Sequence, residues 1–251
     1  MIKSFQATLT KRTELTHDNN LFSFEIVNDT LDFLAGQYVI MMIQLPDGST
    51  ARRLYSISSE AQNTKGFDLL VKRIPGGVAS NYLAGLGIGQ KASFQGPAGV
   101  FFMKDSDPAK PKVFLATGTG IAPIYSMLKS RIADGVTNEK WYLFWGVRTS
   151  NDLHWGKELE EIKKKNPLFQ YVFCLSREPD LSYKTMPAAC VLGRIDACFQ
   201  NNILKSIRGR VDLLNGLEYY ICGSVNAVET LRQSLLSEGV EKKQIHFEKF
   251  V

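Results

Sequence analysis

The run Lys112-Val113-Phe114-Leu115-Ala116-Thr117-Gly118-Thr119-Gly120-Ile121-Ala122-Pro123 joins an apolar strand to a helix through a glycine-bracketed turn. Glycines at such a junction let the main chain approach a diphosphate closely, and Pro123 suits a first helical turn, where its missing N–H does no harm. The spacing predicts a strand over 112–116, a turn over 118–123 and a helix over 124–133, with Ile124, Met127, Leu128 and Ile132 as its apolar residues. Downstream the alternation continues, with strands over 141–145, 171–175, 219–222 and 244–247 and helices over 152–165 and 225–236. Strand–helix alternation implies a parallel sheet with helices on its faces.

Upstream the rhythm is different. Short strands over 5–11, 21–26, 38–43, 51–56, 67–73 and 91–95 are separated by turn-forming segments such as Pro46-Asp47-Gly48 and Pro75-Gly76-Gly77. These predict a closed antiparallel Greek-key β-barrel. The polar, proline-containing segment 105–111 reads as a linker. The expected organisation is therefore two domains, a barrel over 1–104 and an α/β domain over 112–251.

Within the barrel, Arg52-Arg53-Leu54-Tyr55-Ser56-Ile57-Ser58-Ser59 places a guanidinium, an aromatic ring and a hydroxyl in one strand-like run. Arg53 can grip phosphate oxygens through paired hydrogen bonds, and Tyr55 can lie on a planar heterocycle. A ligand with a phosphate end and a flat end fits both, as a flavin nucleotide does. Pro75-Gly76-Gly77-Val78-Ala79-Ser80 opens a short helix that runs to about residue 84, and a helix start offers unpaired N–H groups to a pyrophosphate.

Composition excludes several classes of function. Hydrophobic residues make up 44% and charged residues 22%, ordinary for a soluble globular protein, and Met1-Ile2-Lys3-Ser4-Phe5 has no apolar core of signal-peptide length, with Thr10-Lys11-Arg12 interrupting any candidate, so a cytoplasmic location is expected. The net charge of +5 comes without a basic run interleaved with aromatics, so no nucleic-acid partner is expected. Lys163-Lys164-Lys165 reads as a solvated last helical turn. No run reaches membrane-spanning length, since 39–43 is strand length. Cys174, Cys190, Cys198 and Cys222 form no close pair in sequence, which argues against zinc, an iron–sulfur cluster or a disulfide framework. His17, His154 and His246 are expected to be surface or locally bonded residues.

Arg53-Leu54-Tyr55-Ser56, Gly77-Val78-Ala79-Ser80, Gly118-Thr119-Gly120-Ile121-Ala122-Pro123 and Cys222-Gly223 follow in an order that resembles the ferredoxin–NADP reductase superfamily over nearly the whole chain. The resemblance implies FAD on the barrel and a nicotinamide nucleotide on the α/β domain. By that likeness Arg53 and Gly77, Val78, Ala79 and Ser80 hold the diphosphate of FAD. Tyr55 stacks on the flavin, Ser56 bonds near its hydride-accepting nitrogen, Leu54 adjoins them, and Val71 and Lys72 edge the ring through their backbone. Thr117, Gly118, Thr119 and Gly120 take the nucleotide, while Cys222, with Gly223, sits beside the nicotinamide without acting as a nucleophile. Phe250 shields the flavin face, with Glu248 as a nearby polar contact.

Arg148, Ser176, Arg177 and Arg194 each follow a predicted strand end or its next loop, where ligands of open α/β sheets sit. Three guanidinium groups and a hydroxyl suit the extra phosphate of NADPH. The pattern is similar to bacterial ferredoxin/flavodoxin–NADP reductases, which implies a monomer passing single electrons to an acidic ferredoxin or flavodoxin. The chain's ending, Phe247-Glu248-Lys249-Phe250-Val251, looks more like the reductase components of oxygenases. An NADH-dependent reductase for an oxygenase or cytochrome, and a non-catalytic flavin-binding electron-transfer subunit, are the alternatives.

Overall fold

The computed structural model describes residues 2–104, 110–180, 190–200 and 211–250. Most of the expected linker, residues 105–109, lies outside them. The chain divides into two compact units, Met1–Met103 with Tyr125–Ala133, and Lys104–Ile124 with Asp134–Val251.

The first unit contains strands β1 (Lys3–Glu14), β2 (Asn19–Ile26), β3 (Tyr38–Gln44), β4 (Thr50–Ser56), β5 (Gly66–Lys72) and β6 (Lys91–Ala98), and helix α1 (Val78–Gly85). They form one antiparallel sheet in the order β4-β3-β6-β1-β2-β5. Its edge strands meet at the Ile57–Leu69 bridge, and the Ser58 N–H donates to the Asp68 carbonyl at 2.9 Å, so the sheet curls into a barrel. Alternate residues of each strand point inward. Phe5, Ala7 and Leu9 of β1, Phe22, Phe24 and Ile26 of β2, and Val39, Met41 and Ile43 of β3 are all buried. Phe24, Phe67 and Phe94 interlock at the centre, with centroids 5.1–5.5 Å apart. Each such aromatic pair adds roughly 0.5–1.5 kcal/mol beyond area burial.

The second unit contains β7 (Lys112–Thr117), β8 (Trp141–Val147), β9 (Phe169–Leu175), β10 (Cys190–Leu192), β11 (Glu218–Ser224) and β12 (Ile245–Phe250). All pair in parallel, in the order β10-β9-β8-β7-β11-β12. The chain leaves β7 toward β10 and then returns to place β11 on the other side of β7. That reversal is a topological switch point, where ligands of such sheets bind at the carboxyl ends of the strands. β7 and β11 are buried almost end to end, as strands covered on both faces must be. Helix α2 (Ile121–Ala133) starts in this unit and from Tyr125 onward belongs to the first; the other helices are α3 (Gly156–Lys165), α4 (Ile195–Phe199), α5 (Val211–Asn215) and α6 (Val225–Ser237).

Several expectations require correction. Helix α2 starts at Ile121 rather than residue 124, because a short 3₁₀ turn over Gly118–Gly120 already brings the chain into helical geometry. Helix α3 starts at Gly156 rather than 152. Residues Ser150–Asp152 instead form a separate 3₁₀ turn, closed by reciprocal hydrogen bonds between Thr149 and Asp152. β10, α4 and α5 were not expected at all. Cys174 and Cys198, distant in sequence, are free thiols buried in the same hydrophobic cluster. His154 is one of the locally held rather than the surface histidines, buried between the rings of Trp145 and the adjacent Trp155 at 4.7 and 4.8 Å. No helix among the described residues is long and apolar enough to cross a membrane.

Candidate functional site

In the barrel unit, Arg53, Leu54, Tyr55 and Ser56 occupy the end of β4, an edge strand. Arg53 is exposed, with its guanidinium donating to the Arg52 carbonyl at 2.8 Å, and Arg52 reaches Gln95 Oε1 at 2.9 Å. Leu54 is 58% exposed, while Ser56 is buried. Tyr55 packs its ring on the barrel core. Burial pushes its phenol up to about 12 against the pull of the Arg53 charge, so the ring is uncharged at neutral pH. Val71 is buried in β5, and the Lys72 ammonium pairs with Asp18 at 2.9 Å. β5 is the other edge of the sheet, so beyond Leu69 one side of its backbone faces no strand among the described residues.

Gly77 caps α1, followed by exposed Val78 and buried Ala79 and Ser80. A Cβ on Gly77 would lie 2.7 Å from Ser80 Oγ and 3.0 Å from the Ile74 carbonyl oxygen, so the turn packs tightly at this position. The Ser80 hydroxyl is turned inward, accepting from the Ile74 N–H at 3.2 Å and donating to the Ile74 carbonyl at 3.1 Å. It braces the turn.

In the second unit, Gly118 has φ +51°, and nothing would obstruct a Cβ there. A Cβ on Gly120 would lie 2.3 Å from the Cys222 carbonyl oxygen, and one on Gly223 would lie 1.9 Å from Thr117 Oγ1. Thr117 Oγ1 accepts from the Ser224 N–H at 3.3 Å. The turn after β7 and the end of β11 thus touch through main chain at the switch point. Cys222 is buried, and its thiol is raised well above the ordinary range by burial first and the Glu248 charge second. It is a neutral thiol. Glu248 and Phe250, both half-buried, stand opposite Cys222 and Ser224 in the β11–β12 register.

Arg148, Ser176, Arg177 and Arg194 are exposed at the carboxyl ends of β8 and β9 and just after β10. The Arg177 N–H donates to the Arg148 carbonyl at 2.7 Å, and Ser176 Oγ donates to the Val147 carbonyl at 3.1 Å. Two carboxylates that the sequence reading omitted share this edge. Glu178 accepts the Ser150 N–H at 2.5 Å, and Asp196 pairs with the Arg194 guanidinium at 3.3 Å. Their positions in the Arg177-Glu178 and Arg194-Ile195-Asp196 neighbourhoods were the available signal.

The residues present fit two anionic dinucleotides. Each bare glycine turn precedes a helix start, and the neutral phenol of Tyr55 offers a flat face beside the Arg53 guanidinium.

Comparison with known proteins agrees with this geometry. Residues 6–103 match the oxidoreductase FAD-binding domain family and residues 114–233 the oxidoreductase NAD-binding domain family. A ferredoxin–NADP reductase B of Sorangium cellulosum is 33% identical over 87% of this chain and 85% of its own. The electron transfer component of toluate 1,2-dioxygenase from Pseudomonas putida is 30% identical over 98% of this chain and 67% of its own. The crystal structure of the cytochrome P450 reductase GcoB of Amycolatopsis superposes with a TM-score of 0.84 at 30% identity, over 99% of this chain and 70% of that one.

Proposed function

Because the chain belongs to the ferredoxin–NADP reductase superfamily of flavin- and nicotinamide-dependent oxidoreductases, we propose that it moves hydride between NADPH and FAD and single electrons between FAD and a ferredoxin or flavodoxin. The observation that carries this reading is the main-chain contact of the Gly118–Gly120 turn with Cys222 and Gly223 at the switch point. When bound, FAD and the nicotinamide nucleotide supply the hydride and one-electron chemistry, and the chain supplies binding and orientation. The flavin unit ends near residue 104 and the nucleotide unit begins near 112. Arg53 and the first turn of α1 take the flavin diphosphate, while Tyr55 presents its ring face and Ser56 a hydroxyl. Val71 and Lys72 contribute backbone groups. Thr117, Gly118, Thr119 and Gly120 receive the nucleotide diphosphate. Cys222, as a buried neutral thiol, limits where the nicotinamide ring can lie, with Glu248 and Phe250 beside it.

Arg148, Ser176, Arg177 and Arg194 receive the additional phosphate of NADPH, and a monomer acting on an acidic electron carrier in the cytoplasm completes the reading. A second reading, an NADH-dependent reductase serving an oxygenase, draws on Glu178 and Asp196, whose charges oppose a phosphate at the same edge. Initial rates with each nucleotide and with ferredoxin or flavodoxin as acceptor separate the two. Under the first reading, Arg177→Ala raises KM for NADPH by about tenfold, the worth of one charge-assisted bond, and leaves KM for NADH within about twofold. A lower KM for NADH than for NADPH in the wild type, with neither constant changed in Arg177→Ala, would favour the second.

A further inference from the structure

We propose that Trp145 is a positioning residue for the nicotinamide nucleotide: its indole N–H pins the Gly118–Thr119 peptide so that the Thr119 N–H faces the nucleotide's diphosphate. The inference rests on the reading of Gly118–Gly120 as the nucleotide turn. Trp145 Nε1 donates to the Gly118 carbonyl oxygen at 2.9 Å, and the same oxygen accepts the Ile121 N–H that starts α2. A trans peptide is planar, with its C=O and N–H pointing in opposite directions. Holding the Gly118 oxygen toward Trp145 therefore aims the Thr119 N–H away from it.

Glycine makes this tether necessary. Gly118 at φ +51° has open space around the position of a Cβ, so its own sterics impose no single orientation on the next peptide. Trp145 removes that freedom because it cannot move. It is fully buried in β8, in register with Ala116 of β7, with Phe173 at 5.7 Å and His154 at 4.7 Å from its ring. His154 is in turn backed by Trp155, held in a left-handed conformation at φ +58° before α3. A preorganised donor of this kind need not be reoriented when an anion arrives.

The competing explanation is that Gly118 merely satisfies a buried indole, as buried Trp requires. Trp145→Phe keeps the ring and deletes the N–H. We expect the dissociation constant for NADP⁺ by calorimetry and KM for NADPH to rise about tenfold, with kcat within about twofold, as for the loss of one hydrogen bond. Trp141→Phe deletes the indole N–H at the other end of the same strand, where it bonds Glu139, and should lower the melting temperature without changing either nucleotide constant. Unchanged nucleotide constants in Trp145→Phe, in a wild type that binds NADP⁺, overturn the tether alone. A wild type that binds neither NADP⁺ nor NAD⁺ overturns the nucleotide-turn reading itself. Should Trp145→Phe not fold, the indole ¹⁵N–H spectrum of the wild type decides, with the three signals assigned through Trp141→Phe and Trp155→Phe. Slow exchange of the Trp145 proton and a shift on adding NADP⁺ support the tether, whereas fast exchange or an unmoved signal overturns it.

Discussion

Replacing Gly120 by Ala is expected to reduce nicotinamide-nucleotide turnover by at least about a hundredfold while the purified protein keeps its flavin. The added Cβ would lie 2.3 Å from the Cys222 oxygen, 2.6 Å from its carbonyl carbon and 2.8 Å from the Gly223 Cα, all main-chain atoms. Backbone has no rotamer to yield with, so β11 and the turn must separate. A displacement of about 1 Å at a reacting centre reduces rate by roughly a hundredfold. The same strain should destabilise the unit by roughly 3 kcal/mol, a melting shift of about 6–12 °C for a chain of this size. Arg53, Tyr55, Ser56 and the α1 turn belong to the other compact unit, so the flavin absorbance should persist. Wild-type nucleotide kinetics in Gly120→Ala would show that the contact does not matter.

The largest purely structural effect is expected from Glu139→Ala. Lys112 Nζ and Glu139 Oε2 lie 3.5 Å apart with side chains only 3% exposed, at the amino ends of the parallel strands. Trp141 Nε1 donates to the same carboxylate at 2.9 Å, and Asn166 Nδ2 donates to the Glu139 main-chain oxygen at 2.8 Å. Removing one partner of a buried pair leaves the other charge poorly compensated and typically destabilises by about 3–5 kcal/mol. The Lys112 contact to the Lys110 carbonyl at 3.1 Å survives, which places the effect toward the lower end. Replacing both charges, Lys112→Met with Glu139→Leu, should recover most of the loss, since well-packed apolar substitutes are often neutral. Urea unfolding of the three proteins measures this. A double variant no more stable than Glu139→Ala would mean that the pair is doing something other than balancing charge.

What could be read from the chain alone follows from how local the signal is. Each barrel strand announces itself by alternation or by bounding turn residues, and the Gly118–Pro123 junction by its glycines, because both patterns are consequences of single-strand or single-turn geometry. Lys112 was read as part of an apolar strand, and nothing near it in sequence indicates that Glu139 arrives beside it. Trp145 was likewise only a strand residue until β7 and β8 paired and brought Gly118 within reach. The burial of Cys198 in one cluster with Cys174 and the Arg194–Asp196 pair depend on β10 and α4, elements of three and five residues that are too short to carry a periodicity. Ser80 shows the opposite failure. Its motif was visible, but its hydroxyl is committed to the Ile74 main chain, which motif reading does not register.

The most direct test of the whole account is an absorption spectrum of the purified full chain, supplemented with FAD and recorded before and after anaerobic addition of NADPH. A flavin band that bleaches on addition is the predicted result. A protein that stays colourless in excess FAD would contradict the assignment of Arg53, Tyr55 and the α1 turn to a flavin site.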